Sequence, residues 1–188
     1  MTSITPSPDD SHAVRVRRRL MASLLALALC PLTNVTHARK RSTMNNAAPL
    51  KSLIHTITSQ SGLAVDQLNV LLNSQFIQNL TLSDEYSLVY ESAQAKGIPN
   101  LAIERAELRL PGPRGRFKGI LSVYLAEPGL AFDSLRTELP ELTLLQAPRG
   151  RAIDEATVFG YPSNWGSISL EVSGKGTRHL TAVYFEPK

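Results

Sequence analysis

Cysteine is nearly absent from this sequence, whose 188 residues include a single one, Cys30. One cysteine excludes an internal disulfide, so the fold must be stabilised by packing. Aromatic residues make up only 6% of the chain and charged residues 19%. The uninterrupted apolar stretch from Leu20 to Leu29 is too short to cross a bilayer as a helix. The sequence therefore offers neither a disulfide scaffold nor a candidate membrane-spanning helix.

Catalytic and metal-binding patterns are also scarce. The sequence has no Gly-x-Ser-x-Gly elbow, and Ser173-Gly-Lys-Gly-Thr177 lacks the leading glycine of a phosphate loop. His55 and His179 have no carboxylate or second histidine at ligand spacing. We therefore expect no cofactor, no metal and no enzymatic activity. The alternative is a hydrolase in which the fold brings a carboxylate close to His55 or His179.

The N-terminal segment has the plan of a bacterial-type secretory signal peptide. A basic region with Arg15, Arg17, Arg18 and Arg19 precedes the apolar stretch, and Thr36-His37-Ala38 supplies small residues for cleavage. Residues 1–38 are therefore predicted to be a signal peptide, and the mature chain to be periplasmic or secreted without a stable membrane anchor. The adjacent arginines leave the choice between general secretory and twin-arginine export open.

Removal of this leader changes the composition of the mature chain. It takes away Cys30 and lowers the net charge from +4 to about +2. About 150 residues remain, enough for one ordinary core or two small fused modules. A charge near neutrality does not favour nucleic acid or an anionic membrane surface as a partner. We expect the partner to be another envelope or secreted protein.

An internal repeat is the main organising feature of the mature chain. Gly62-Leu-Ala-Val-Asp-Gln-Leu68 returns as Gly129-Leu-Ala-Phe-Asp-Ser-Leu135. A second match follows in the same order, Val123-Tyr-Leu-Ala-Glu-Pro128 and Val183-Tyr-Phe-Glu-Pro187. Ordered matches at similar spacing are typical of a duplicated supersecondary unit. We therefore divide the mature chain into a flexible lead-in (39–48), a first α+β repeat with a preceding helix (49–128) and a second α+β repeat (129–188).

The spacing of apolar residues predicts the elements of each repeat. Helical spacing predicts an early helix from Pro49, with Leu50, Leu53, Ile54 and Ile57 on one face, and repeat helices over about 65–73 and 132–139. Alternation of apolar and polar residues predicts strands over 86–91, 105–110, 121–125, 167–172 and 180–186. The predicted fold class is α+β, with two tandem helix-plus-antiparallel-meander repeats forming a sheet that helices cover on one face.

The same alternation predicts which side chains the helices leave uncovered. If Val123 and Val183 face the helices, Tyr124 and Tyr184 project from the opposite face. The candidate partner-binding residues on that face are Trp165, Tyr124, Tyr184, Arg105 and Arg109. Tyrosine, tryptophan and arginine are enriched at protein–protein hot spots. The structural alternative is that Trp165 caps the core beside Tyr161 and that the tyrosines pair across strands.

An exported chain made of two helix-plus-sheet units resembles the secreted β-lactamase inhibitor proteins. The resemblance covers about Gly62 to Pro187, and a single unit is also similar to small outer-membrane assembly lipoproteins. The chain departs from the inhibitors in lacking disulfides and from the lipoproteins in lacking a lipidated cysteine. The resemblance implies a concave sheet that clamps another protein. We expect an inhibitor or immunity-type protein that blocks an envelope-acting enzyme or toxin, the alternative being an envelope assembly or scaffold protein.

Overall fold

Three helices and eight strands make up the parts of the chain that the computed structural model describes, residues 47–93, 95–150, 152, 155–174, 176 and 178–188. The helices are α1 (Ala48–Thr58), α2 (Val65–Leu71) and α3 (Phe132–Glu138). The strands are β1 (Ile77–Gln78), β2 (Ser87–Ala93), β3 (Ile103–Pro111), β4 (Ile120–Leu125), β5 (Thr143–Gln146), β6 (Thr157–Tyr161), β7 (Gly166–Val172) and β8 (Leu180–Pro187). The predicted signal peptide and residues 39–46 of the predicted lead-in lie outside the described residues.

The helices form where the apolar spacing predicted them. In α1, Pro49 occupies the first turn, and the four residues Leu50, Leu53, Ile54 and Ile57 are buried along one face. The helix begins at Ala48, and the preceding Ala47 is fully buried. Of the last two residues of the predicted lead-in, Ala47 is therefore packed in the core and Ala48 is the exposed first residue of α1. No helix in the described part of the chain is long and apolar enough to span a membrane.

The two later helices begin in the same way. Each follows an alanine with extended backbone, Ala64 before α2 and Ala131 before α3. Each carries an aspartate in its first turn, Asp66 or Asp133, where a carboxylate interacts favourably with the helix N-terminus. This interaction is sufficient to explain both aspartates.

All eight strands belong to one antiparallel sheet, which confirms the predicted α+β class. Their order is β1-β2-β3-β4-β8-β7-β6-β5. Each group of four strands is a meander, and the two meanders meet where β4 pairs with β8. The sheet is open, with β1 and β5 at its edges.

The strand register separates the sheet into two faces. Leu121 pairs with Phe185 and Val123 with Val183, so all four side chains point to the same side. These residues form one buried cluster with the apolar residues of α1, α2 and α3. We call this side the core face and the opposite side the polar face. Val89 and Ala182, which alternate onto the polar face, are buried but lie outside that cluster.

Candidate protein-binding surface

The polar face carries four of the five residues that the sequence selected for partner binding. Arg105 and Arg109 lie on β3, Tyr124 on β4 and Tyr184 on β8. Arg105 is the register partner of Tyr124, and Tyr184 is the register partner of Ser122, which places these side chains on the same face. With two glutamates they form a continuous row of contacts across β3, β4, β8 and β7. We call this row the polar ladder; its members are Arg109, Glu107, Arg105, Tyr124, Tyr184 and Glu171.

One end of the polar ladder is a glutamate held between two arginines. The Nε of Arg109 donates to Oε1 of Glu107 at 2.6 Å, and Nη1 of Arg105 lies 3.9 Å from the other carboxylate oxygen. The Glu107 side chain is only 11% exposed, whereas both arginines are about half exposed. Hydrogen bonding to Glu107, supported by its negative charge, raises the pKa of Arg109 above its ordinary value. The arginines therefore hold a nearly buried charge and still present guanidinium groups to solvent.

Two tyrosines form the centre of the polar ladder. The guanidinium carbon of Arg105 lies 3.5 Å from the ring centroid of Tyr124, in cation–π contact. The rings of Tyr124 and Tyr184 meet edge to face, with centroids 6.4 Å apart and planes at 86°. Their register partners across the β4–β8 junction are Ala182 and Ser122, both small and buried. Small neighbours leave room for the two large rings to lie side by side.

A second glutamate closes the other end of the polar ladder. The hydroxyl of Tyr184 donates to Oε2 of Glu171 at 2.7 Å, and Oγ1 of Thr181 donates to Oε1 at 3.2 Å. Burial raises the pKa of Tyr184, and the hydrogen bond to Glu171 raises it further. The hydroxyl therefore stays protonated and keeps its role as donor at neutral pH.

The two glutamates were not among the residues selected from the sequence. Glu107 and Glu171 occupy the polar positions of alternating strands, so their face was predictable from the pattern. The partners of Glu107 lie two positions away on the same strand and were predictable too. The partner of Glu171 was not, because Tyr184 lies on the neighbouring strand, whose register the pattern does not give. The negative charges of the two glutamates balance the positive charges of the two arginines in the polar ladder.

Trp165 does not lie on the polar face, and the prediction of its orientation was wrong. Its indole Nε1 donates to the backbone oxygen of Gln60, at 2.7 Å, just after α1. The side chain is partly buried and packs against the core cluster. The alternation failed because β7 begins at Gly166, so the side-chain parity of Ser167 and Ser169 does not extend back to Trp165. This bond links the start of β7 to the segment that follows α1.

The two histidines of the alternative hydrolase hypothesis occupy separate places. His55 is exposed on α1. His179 lies just before β8, where its Nδ1 is 3.3 Å from Oγ of Ser173. The same Oγ accepts the backbone N–H of His179, at 3.3 Å, while the Ser173 N–H donates to the His179 carbonyl. These contacts close the turn between β7 and β8. Among the described residues, no three His, Cys, Asp or Glu side chains are grouped as a metal site requires.

No protein-family model, curated protein or solved structure matches this chain.

Proposed function

We propose that this chain is an exported, non-enzymatic protein-binding module that blocks an envelope-acting enzyme or toxin, as an inhibitor or an immunity-type protein. The observation that carries the proposal is the polar ladder, in which tyrosine and arginine side chains are fixed on the rigid centre of a sheet. The proposed partner is another envelope or secreted protein. The β-lactamase inhibitor resemblance supplies this class of partner and stays a prediction.

The chemistry of the polar ladder suits protein recognition. Tyr124 and Tyr184 offer rigid rings with few rotatable bonds, and Arg105 and Arg109 offer planar donors. Tyr184 and Arg109 are already held by neighbours, through a 2.7 Å hydrogen bond and a 2.6 Å ion pair respectively. Little side-chain entropy is therefore lost when a partner binds. Such preorganised side chains favour tight binding to one complementary partner surface.

We further propose that the sheet consists of two tandem repeats whose helices cover one face only. One helix and four strands follow each other twice, as α2 with β1–β4 and α3 with β5–β8. Matching positions are alike in burial: Leu68 and Leu135 are both fully buried, as are Leu72 and Leu139. The matched residues Val123 and Val183 face each other where the halves meet. A pair of equivalent units joined in this way produces one continuous surface from two short sheets.

A binding experiment tests the polar face directly. The mature protein is immobilised and titrated with the product of the neighbouring gene or with a periplasmic extract that contains it. A hot-spot residue contributes about 2 kcal/mol or more, so Tyr124→Ala combined with Tyr184→Ala should weaken binding at least about 100-fold. Tyr86→Ala is the matched control, because Tyr86 is 54% exposed and lies outside the polar ladder. Unchanged capture by the double variant, with an intact far-UV circular dichroism spectrum, would remove this face from the proposal.

A second candidate function is that of an envelope assembly or scaffold protein. The observation that favours it is the exposure of large apolar side chains at both sheet edges, Ile77 on β1 and Leu144 and Leu145 on β5. Exposed apolar edge strands are suited to pairing with another chain. An activity assay of the captured partner separates the two candidates, since an inhibitor lowers the partner's turnover and a scaffold leaves it unchanged.

A further inference from the structure

A cavity separate from the polar ladder lies beside the edge strand β5. Its volume is about 400 Å³, and it lies between α3, the β5 segment and β6. We call it the β5 groove; the lining residues that matter here are Phe132, Phe159, Leu142, Leu144, Arg136 and Arg178. Because Phe132 and Phe159 belong to the core side of the structure, this groove is independent of the polar face.

The floor of the β5 groove is aromatic. Phe132 and Phe159 stack at 4.8 Å between ring centroids, with their planes tilted by 32°. Phe132 is only 6% exposed, so the floor is anchored in the core. Leu144 stands at the rim with 57% of its surface exposed. This arrangement offers apolar contact area for a side chain that enters from solvent.

The rim of the β5 groove is positively charged. Arg136 and Arg178 are exposed and line it, and the guanidinium carbon of Arg178 lies 5.9 Å from the Phe132 ring centroid. Within the described residues, no carboxylate lines the groove, and neither arginine forms an ion pair. The complementary ligand therefore combines an apolar group with a negative charge.

The edge strand β5 favours a peptide over a small molecule as the ligand of the β5 groove. In the sheet, β5 has one neighbour, β6, and all four of its residues are exposed. The outer side of β5 therefore presents backbone N–H and C=O groups to which an extended peptide adds as a further strand. Leu142, Leu144, Ala147 and Pro148, within and beside this strand, also line the groove. A peptide that pairs with β5 consequently places alternate side chains at the groove.

We propose that β5 and its groove bind an extended acidic segment of another protein, with one apolar side chain on the Phe132–Phe159 floor and a carboxylate between Arg136 and Arg178. The apolar and acidic residues of the segment are two positions apart, because side chains on one face of a strand recur with that period. This site is additional to the polar ladder and does not depend on the proposed function.

A selection from random short peptides displayed on phage tests the proposal on the immobilised protein. Enriched peptides should carry Asp or Glu two positions from an aromatic or leucine residue. In titrations of a selected synthetic peptide, Arg136→Gln and Arg178→Gln should each weaken binding about 2- to 5-fold, because exposed ion pairs contribute little individually. Replacing the peptide's apolar residue by alanine should weaken it about 10- to 100-fold. Bound peptide should also slow amide hydrogen exchange within β5.

The controls keep this site apart from the polar face. The double variant Tyr124→Ala with Tyr184→Ala should bind the peptide as the unmodified protein does. Charge reversal provides a rescue, since Arg136→Glu with Arg178→Glu should prefer the peptide whose acid is replaced by lysine. The proposal is overturned if enrichment lacks acidic residues, if the arginine variants bind equally well, or if the tyrosine variants alone abolish binding. Protection of β5 amides in a dimer of this chain without peptide would also overturn it, in favour of a second copy as occupant.

Discussion

The substitution Tyr184→Phe tests whether the polar ladder is held together as its geometry indicates. It removes one hydroxyl and keeps the ring that meets Tyr124 edge to face. The hydroxyl donates to the carboxylate of Glu171 at 2.7 Å. Hydrogen bonds to charged groups contribute about 1.5–3 kcal/mol when they are removed from water. Since Tyr184 is only partly buried, water replaces part of this bond, and we expect the free energy of unfolding to fall by about 1 kcal/mol.

The pH dependence of the stability difference between the unmodified protein and Tyr184→Phe gives a sharper test than its size. Burial and the hydrogen bond to Glu171 raise the pKa of Tyr184 in the folded protein above its ordinary value of 10.0. Above about pH 10, the folded state therefore retains the Tyr184 hydroxyl proton that the unfolded state releases. The stabilisation from Tyr184 is fully present below about pH 10 and is lost as the pH rises through the folded-state pKa. The phenylalanine variant lacks this loss, so the stability difference between the two proteins narrows in alkali.

Urea unfolding at about pH 8 and about pH 11, followed by circular dichroism, measures both effects. Tyr124→Phe is the matched control, because its hydroxyl makes no hydrogen bond within the described residues and the ring stays. The pKa of Tyr161 is also raised, chiefly by burial, but this residue is present in all the proteins compared and cancels in the differences. A stability difference that is the same at both pH values, or an equal loss in Tyr124→Phe, would refute the assigned Tyr184–Glu171 bond.

Two further substitutions test how the structure is assembled. Gly129→Ala should destabilise the protein by about 2 kcal/mol, because a Cβ there would overlap the backbone oxygen of Leu180. Gly62→Ala is the control at the matching position of the sequence. A Cβ there meets no atom within 4 Å, so the free energy of unfolding should change by less than about 1 kcal/mol. Equal effects in urea unfolding would contradict this close approach. Trp165→Phe should lower the free energy of unfolding by about 1–2 kcal/mol, because the carbonyl of Gln60 loses its indole donor. Unfolding must be followed by circular dichroism, since the substitution removes the chain's one tryptophan. An unchanged urea midpoint would show that this bond does not stabilise the link between β7 and the segment after α1.

The helices and central strands were predictable because burial imposes a period on their sequences. Leu50, Leu53, Ile54 and Ile57 recur at helical spacing, and all four are buried in α1. In β4, Leu121 and Val123 alternate with polar neighbours, which fixed the side of the sheet to which Tyr124 points. Where one face of an element is buried, the pattern of apolar residues is sufficient to predict its orientation.

The edge strands were missed because burial imposes no such period on them. All four residues of β5 are exposed, and β1 has only two residues, both exposed. In β6 the pattern is interrupted by Gly160, against which Leu145 of β5 packs. The glycine leaves space for a neighbour's side chain, and that neighbour is known only once the strands are paired. The pairing of β4 with β8 is likewise a long-range contact that local spacing does not encode.

The residues of the polar ladder show a similar division between what is local and what is not. Alternation placed Arg105 and Tyr124 on one face, and their cation–π contact at 3.5 Å follows from register pairing. The role of Glu171 required the three-dimensional register between β7 and β8. The error at Trp165 arose at a strand boundary, which is the part of an element that sequence patterns locate least well.

The two ends of the polar ladder differ in charge. The strands on either side of the β4–β8 junction nevertheless follow each other in the same order. Tyr124 and Tyr184 occupy matching positions of β4 and β8, but Tyr124 contacts the cation of Arg105 and Tyr184 the anion of Glu171. A partner that approaches in one orientation can oppose each charge with its complement, and the same partner turned end to end would bring like charges together. Because such juxtapositions are costly at an interface, the charges select orientation while the tyrosines supply most of the contact area. We therefore expect the proposed partner to bind in a single orientation, with acidic groups near Arg105 and Arg109 and hydrogen-bond donors near Glu171.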